Sequence, residues 1–229
     1  MNQNVTKGIV LSRTDFGEAD RIITVLTPEA GKLRLMAKGV RKIKSKLAGG
    51  IELFSVSDLT YISGRGDIGT LISSRLDRHF GRITQNIDRV QLGYQLIKLL
   101  NKVTEDRVEN EYFNLLEQAF EGLDDDSIGL DLIVSWFEAS LLSLSGHKPN
   151  LTYDLAGNQL EQTEKYNFDI DDMTFVRHDQ GSFKSNDIKL LRLIFSNNSL
   201  SNLNKIETTS ISLNLSRNLI RTMVETYIT

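Results

Sequence analysis

Over the first eighty residues apolar and polar positions alternate in short runs broken by turn residues. Beyond them the apolar residues recur every three to four positions. The alternating runs predict strands at 6–14, 20–27, 31–37, 53–62 and 70–76, rich in Ile, Val, Leu and Thr. Phe16-Gly17 and the run from Pro28 to Gly31 supply hairpin turns between the first three. Within 53–62 the parity slips: Phe54 and Val56 share one face, Leu59 and Tyr61 the other. A bulge or sharp bend near Ser57-Asp58 is the expected remedy. Five strands with one strongly bent member suggest a small closed barrel such as the OB-fold.

The helical stripes are Ile83, Ile87, Val90, Tyr94 and Ile97; then Phe113, Leu116, Phe120 and Leu123; then Leu130, Val134, Phe137, Leu141 and Leu144. Gly146, followed by Pro149, should stop the third helix, and the run from Asp124 to Ser127 should cap its start. Residues 150–183 are polar and aperiodic, with a strand-like piece at 174–177. Helical spacing returns at 185–195, with Ser185 as cap, and at 213–228, with 197–202 as a loop between. The fold class is α+β. The expected domains are an OB-fold barrel over 1–80, a helical domain from 81–149 and 184–229, and an irregular insertion at 150–183.

Charge sharpens this division. The chain has 229 residues and a formal net charge of -3, yet residues 1–50 hold ten basic side chains against four acidic ones. Residues 104–131 hold ten acidic side chains against one basic, and residues 150–183 seven against two. A nucleic acid would therefore meet the N-terminal end. On the predicted third strand Lys32, Arg34 and Lys38 share one face, and Leu33, Leu35 and Ala37 the other. The strand runs into a stretch at 38–50, expected to be a flexible loop, where Lys38, Arg41, Lys42, Lys44 and Lys46 stand without an acid. These seven cations are the candidate phosphate contacts. The alternative is that they only keep a sheet edge soluble. Phe16, Phe54 and Tyr61 are candidate base-stacking platforms, with core packing the favoured reading for Phe54.

Other motifs weigh less. Gly64-Arg-Gly-Asp-Ile-Gly69 fits a dinucleotide pattern, but the sequence after it reads as a strand where a helix is required, so a loop between strands is expected. The three histidines, His79, His147 and His178, are far apart, and the chain has no cysteine. That excludes disulfides, a thiol nucleophile and Cys-ligated zinc. No phosphate-binding loop or nucleophile elbow occurs, and no catalytic constellation, cofactor or metal site is expected. No apolar run reaches the ~20 residues that span a bilayer, and the first residues lack a secretory core. A cytoplasmic protein without a membrane partner is expected.

The run from Gly8 to Lys42, with Glu18-Ala-Asp-Arg21 and Ala37-Lys-Gly39 inside it, and its continuation from Ser45 to Phe54 resemble the N-terminal domain of the bacterial recombination mediator family RecO. The helix from Trp136 that ends in Gly146-His-Lys-Pro149 is similar to that family's central helix and its Gly-x-x-Pro turn. The resemblance implies an N-terminal OB-fold, a helical domain and a small zinc-binding insertion. It implies binding to single- and double-stranded DNA, annealing of single strands, partnership with RecR, contact with single-strand-binding protein, and indirect help in loading RecA. Lys38, Arg41 and Lys42 fall on the family's basic strand end and loop. Lys44 and Lys46 extend it by charge, and Lys32 and Arg34 share the strand face. Arg13 and Arg21 also match family positions, and each has Asp15, Glu18 or Asp20 available as a structural ion-pair partner; both roles stay open. One departure is plain. Where members carry two Cys-x-x-Cys pairs, the regions 153–157 and 175–178 have none. The zinc is expected to be lost, and packing must hold the segment.

The expected function is a non-enzymatic DNA repair and recombination mediator. Two alternatives are an OB-fold RNA-binding adaptor and a scaffold whose acidic segment docks a basic partner without touching nucleic acid. Lys184, Lys189 and Arg192 form a further basic helix face that the acidic tail of single-strand-binding protein would suit.

Overall fold

A computed structural model describes residues 3–64, 66–104, 110–196, 198–206 and 210–228. The chain forms two compact units, Met1–Asp125 and Asp126–Thr229.

The first unit is built on five strands: β1 (Gln3–Phe16), β2 (Asp20–Thr27), β3 (Gly31–Ala37), β4 (Ser55–Ile62) and β5 (Ile68–His79). They close a barrel in the order β1-β2-β3-β5-β4, with β4 pairing back onto β1. All pairings are antiparallel except β3 with β5, where Arg34, Leu35 and Met36 lie beside Ile68, Gly69 and Thr70 in parallel. The interior is filled by Val10, Ile23, Val25, Leu35, Ala37, Leu59, Tyr61 and Leu71. Val40 and Ile51, from the β3–β4 connection, join the same cluster. The alternation anticipated for β3 therefore holds, with Leu35 and Ala37 inward and Lys32, Arg34 and Lys38 outward.

The parity slip in β4 has a different cause from the one expected. Leu59 and Tyr61 belong to the barrel interior, whereas Phe54 and Val56 are buried outside that cluster. Two helices cover this outer face: α1 (Ile87–Val103) and α2 (Asn110–Leu123). The Phe54 ring meets Tyr94 and Phe120 edge-on at 5.4 Å each, and Phe80 meets Phe120 at 5.7 Å. Gly93 of α1 leaves room for this contact, since a Cβ there would lie 2.6 Å from the Phe54 ring. A register irregularity does fall between Val56 and Ser57, but the extra residue is Asp77 on β5. Asn86 caps α1, its Oδ1 accepting from the backbone N–H of Asp88 at 2.9 Å and of Arg89 at 3.2 Å.

The second unit contains α3 (Leu130–Leu144), the hairpin β6 (Tyr166–Asp169) and β7 (Thr174–Arg177), α4 (Ser185–Ile194), the single turn α5 (Leu200–Leu203) and α6 (Ser210–Tyr227). Helix α3 has the predicted bounds and stops with the His147 N–H turned back to the Leu142 carbonyl at 2.8 Å. Its cap is Gly129, not a residue of 124–127; Asp124 instead accepts from the Arg82 N–H at 2.7 Å. Ser185 is the first residue of α4 and not its cap. The Asp187 carboxylate closes that end by accepting the Lys184 N–H at 2.8 Å. The stretch read as a loop over 197–202 contains the start of α5, capped by Ser199; Asn197 lies outside the described residues.

Candidate nucleic-acid interface

The outer face of β3 and the loop after it form the candidate interface. The loop is not a free tether. At Gly39, whose φ of +64° favours glycine, the backbone N–H donates to the Asp20 carboxylate at 2.7 Å. The Arg41 N–H donates to the Ala19 carbonyl at 2.9 Å. Successive turns follow, with the Lys42 N–H on Gly39 at 3.1 Å and the Ser45 N–H on Lys42 at 2.9 Å. The far end is held where Ser74 Oγ of β5 donates to the Leu47 carbonyl at 2.9 Å. Val40 and Ile51 plug into the barrel core on either side. The flexibility expected from composition is thus replaced by a set of turns fastened to the β1–β2 connection and to β5.

The seven candidate cations divide. Arg34, Lys38, Lys42, Lys44 and Lys46 are exposed and have no ion-pair partner among the described residues. Arg41 is exposed too, but its guanidinium lies 3.5 Å from Asp15, which also takes Arg21 at 2.7 Å. The Arg21 hydrogen bond, with the Arg41 charge beside it, holds the Asp15 carboxyl below the usual carboxylate range. Lys32 differs from its neighbours on the strand. Its ammonium donates to the Asn101 carbonyl at 3.0 Å and to that of Thr104, closing the C-terminus of α1. Arg13 pairs with Glu52 at 2.7 Å, a partner outside the three that the local sequence offered. Arg34 borders a groove of about 350 Å³ that Tyr61, Ser63, Gly64 and Asp67 also line.

Of the aromatic candidates, Phe16 stands 53% exposed at the end of β1, beside the turn to which the loop is tied. Tyr61 is not a platform: its side chain is packed into the barrel core, because β4 turns odd-numbered residues inward. Phe54 is core, as expected. Sequence reasoning passed over Ile43, which is fully exposed at the crest of the loop. It is flanked by the exposed Lys42 and Lys44, so its stretch reads as charge alone.

Other cations of the barrel are neutralised in place. Lys7 pairs with Asp77, Arg75 with Asp58 at 2.7 Å, and Arg78 with Glu121 of α2, with Glu117 at 3.9 Å. The Lys7 hydrogen bond lowers the Asp77 pKa, whereas burial raises that of Glu117. The acidic stretch 104–131 therefore supplies partners to β5 through α2; its Glu105, Asp106, Arg107 and Glu109 lie outside the described residues.

The dinucleotide-like motif is a β4–β5 loop whose last glycine, Gly69, already lies in β5, as expected; Arg65 lies outside the described residues. Among the described residues no three His, Asp or Glu side chains gather as a metal site. The zinc-binding insertion finds no fitting donor set. Phe175 is fully buried at the centre of that segment, its ring 5.1 Å from Phe168, 5.4 Å from Phe183 and 6.1 Å from Tyr166. These ring contacts pack the segment. On the α4 face Lys184 and Lys189 are exposed, while Arg192 Nε donates to the Leu151 carbonyl at 2.7 Å. No helix among the described residues is long and apolar enough to cross a membrane.

Comparison with known proteins bears on the family. Residues 1–80 match a family model described as "Recombination protein O N terminal", and residues 84–229 one described as "Recombination protein O C terminal". A protein named DNA repair protein RecO from Roseiflexus sp. (strain RS-1) is 36% identical over 163 residues, 71% of this chain and 56% of that protein. One of the same name from Alkaliphilus metalliredigens (strain QYMF) is 33% identical over 148 residues, 64% of this chain and 60% of the relative. One from Listeria innocua is 32% identical over 198 residues, covering 82% and 76%. The chain thus spans less than two thirds of the length of the first two relatives.

Proposed function

As the chain belongs to the recombination protein O family, we propose that it is a DNA repair and homologous recombination mediator that binds and anneals single-stranded DNA and, with RecR, assists the loading of RecA in the cytoplasm. The barrel is read as an OB-fold. The observation that carries the proposal is the row of five cations without an ion-pair partner among the described residues, Arg34, Lys38, Lys42, Lys44 and Lys46, on one strand face and the loop fastened to it. Such a row takes the backbone phosphates and leaves the bases able to pair. Annealing of this kind needs no covalent chemistry, so the protein is read as a binding partner and not an enzyme. Double-stranded DNA, single-strand-binding protein and RecR complete the proposed set of partners.

The test is binding and annealing of single-stranded DNA across a salt series, with RecR present and absent. Each phosphate contact contributes a slope of about -0.7 in the logarithm of affinity against the logarithm of salt. Replacing Arg41, Lys42, Lys44 and Lys46 with alanine should flatten that slope by up to about 2.8, by the same rule. Unchanged binding at both ends of the series defeats the assignment. Preference for a single-stranded RNA competitor of equal length redirects it to RNA.

A further inference from the structure

We propose that Ile43 is a base-contacting residue of this interface, an apolar tip that wedges among the bases of single-stranded DNA while the cations around it hold the phosphates on either side. The inference rests on the nucleic-acid reading above and deepens it.

The loop from Val40 to Ile51 has four large apolar positions. Val40 and Ile51 are buried in the barrel cluster, and Leu47 packs against it. Ile43 is the one left out, with a relative exposure of 105%, the highest of the large apolar side chains described. The loop does not lack an inward place for want of order, since it is fastened by the Gly39, Arg41, Lys42 and Ser45 hydrogen bonds. Solubility alone calls for cations at such a crest, not for a branched hydrocarbon. A single exposed apolar residue is ordinary on a protein surface. This one is framed by Arg41, Lys42, Lys44 and Lys46, all exposed.

That frame selects the ligand. An apolar groove on a protein would cover Ile43 but strip water from four cations without replacing it. A peptide of acidic residues alone would satisfy the cations and leave Ile43 in water. A single nucleic-acid strand offers both chemistries at nucleotide spacing, anionic phosphates and bases with apolar faces. In proteins that kink duplex DNA, Ile, Leu and Met are among the side chains that wedge between base steps, and a single strand offers such steps without the cost of unpairing. Phe16, 53% exposed at the end of β1, stands beside the turn whose Ala19 carbonyl accepts the Arg41 N–H.

The experiment compares the full chain with its Ile43→Ser and Ile43→Leu variants. The probes are a labelled oligothymidylate and a strand of equal length built from abasic deoxyribose phosphates. Wild type should prefer the strand with bases. Ile43→Ser should lower affinity for oligothymidylate about five- to tenfold, as loss of a roughly half-buried isoleucine side chain would give. It should leave the abasic strand and the salt slope unchanged, and Ile43→Leu should restore most of the loss. If Ile43→Ser binds both strands as wild type does, the wedge is overturned and the mediator reading stands. If wild type binds neither strand, both fall. Loss of binding to phosphatidylserine vesicles in Ile43→Ser, with DNA binding intact, overturns the wedge in favour of a lipid surface.

Discussion

Two edges of one barrel carry cations and treat them in opposite ways. Along β1 and β5, Lys7, Arg75 and Arg78 each meet a carboxylate, from Asp77, Asp58 or the α2 acids Glu117 and Glu121. Along β3 and the loop beyond it, Arg34, Lys38, Lys42, Lys44 and Lys46 meet none among the described residues. A cation that already has a carboxylate offers little to a phosphate, which must first displace the partner. A free one gains its partner and releases the counterion condensed on the nucleic acid. Side-chain exposure does not separate the two edges, because the Arg75 side chain is 83% exposed and paired nonetheless. What separates them is the supply of acids: among the described residues folding brings a carboxylate to Lys7, Arg75 and Arg78, and on the β3 side to Arg41 alone of the loop cations.

Charge reversal tests that difference most strongly. Lys42→Glu combined with Lys44→Glu removes two phosphate contacts and adds two repulsions. Affinity for single-stranded DNA at 50 mM salt should fall about 100-fold. Arg75→Glu makes the same kind of change on the other edge and should cost less than about twofold. Fluorescence anisotropy on one oligonucleotide reads both. Equal losses on the two edges would erase the comparison.

How far the sequence anticipated this follows from where its information lies. Strands β2 and β3 and helix α3 appear at their predicted bounds because one face of each is continuously apolar. The end of β5, from Asp77 to His79, lay beyond the predicted strand because it is exposed on both sides. It holds its place by pairing with β4 and by ion pairs, which leave no alternation to read. Phe54 looked out of phase with Leu59 and Tyr61 because the helix residues packed against it, Tyr94 and Phe120, lie later in the chain. The parallel contact of β3 with β5, which closes the barrel, is a long-range pairing with no local signature. At the interface the cations were legible as residues, but their partners were not. Arg13 with Glu52 and Lys32 with the end of α1 join positions 39 and about 70 residues apart.

Lys32 and Arg34 sharpen the comparison within a single strand, since they share a face and differ in engagement. Lys32→Ala removes a charged donor from the last carbonyls of α1, and unfolding free energy should drop by about 1–2 kcal/mol. Its salt slope for DNA should stay that of wild type. Arg34→Ala should leave stability within about 0.5 kcal/mol and lower the salt slope by about 0.7. Urea unfolding and the salt series together give a crossed pattern. If Lys32→Ala lowers the slope as Arg34→Ala does, Lys32 leaves α1 to take a phosphate, and the boundary between the two kinds of cation moves.

The smallest effect lies at Asp15, the one acid that reaches the open edge through Arg41. Its pKa is held below 3.8, chiefly by the Arg21 hydrogen bond and then by the charges of Arg41 and Arg13. It is therefore ionised at neutral pH. Asp15→Asn lifts one negative charge from the edge and frees Arg41, so affinity for single-stranded DNA at pH 7 should rise about two- to threefold. Stability should move the other way. A carboxylate with a lowered folded-state pKa adds stability above its unfolded value, near 3.8, and loses it as pH falls through the folded one. Wild type should therefore exceed Asp15→Asn in urea midpoint at pH 7, with the gap closing below about pH 4. A gap that persists at low pH would mean that Asp15 acts through packing and not charge, and that Arg41 belongs with the free cations from the outset.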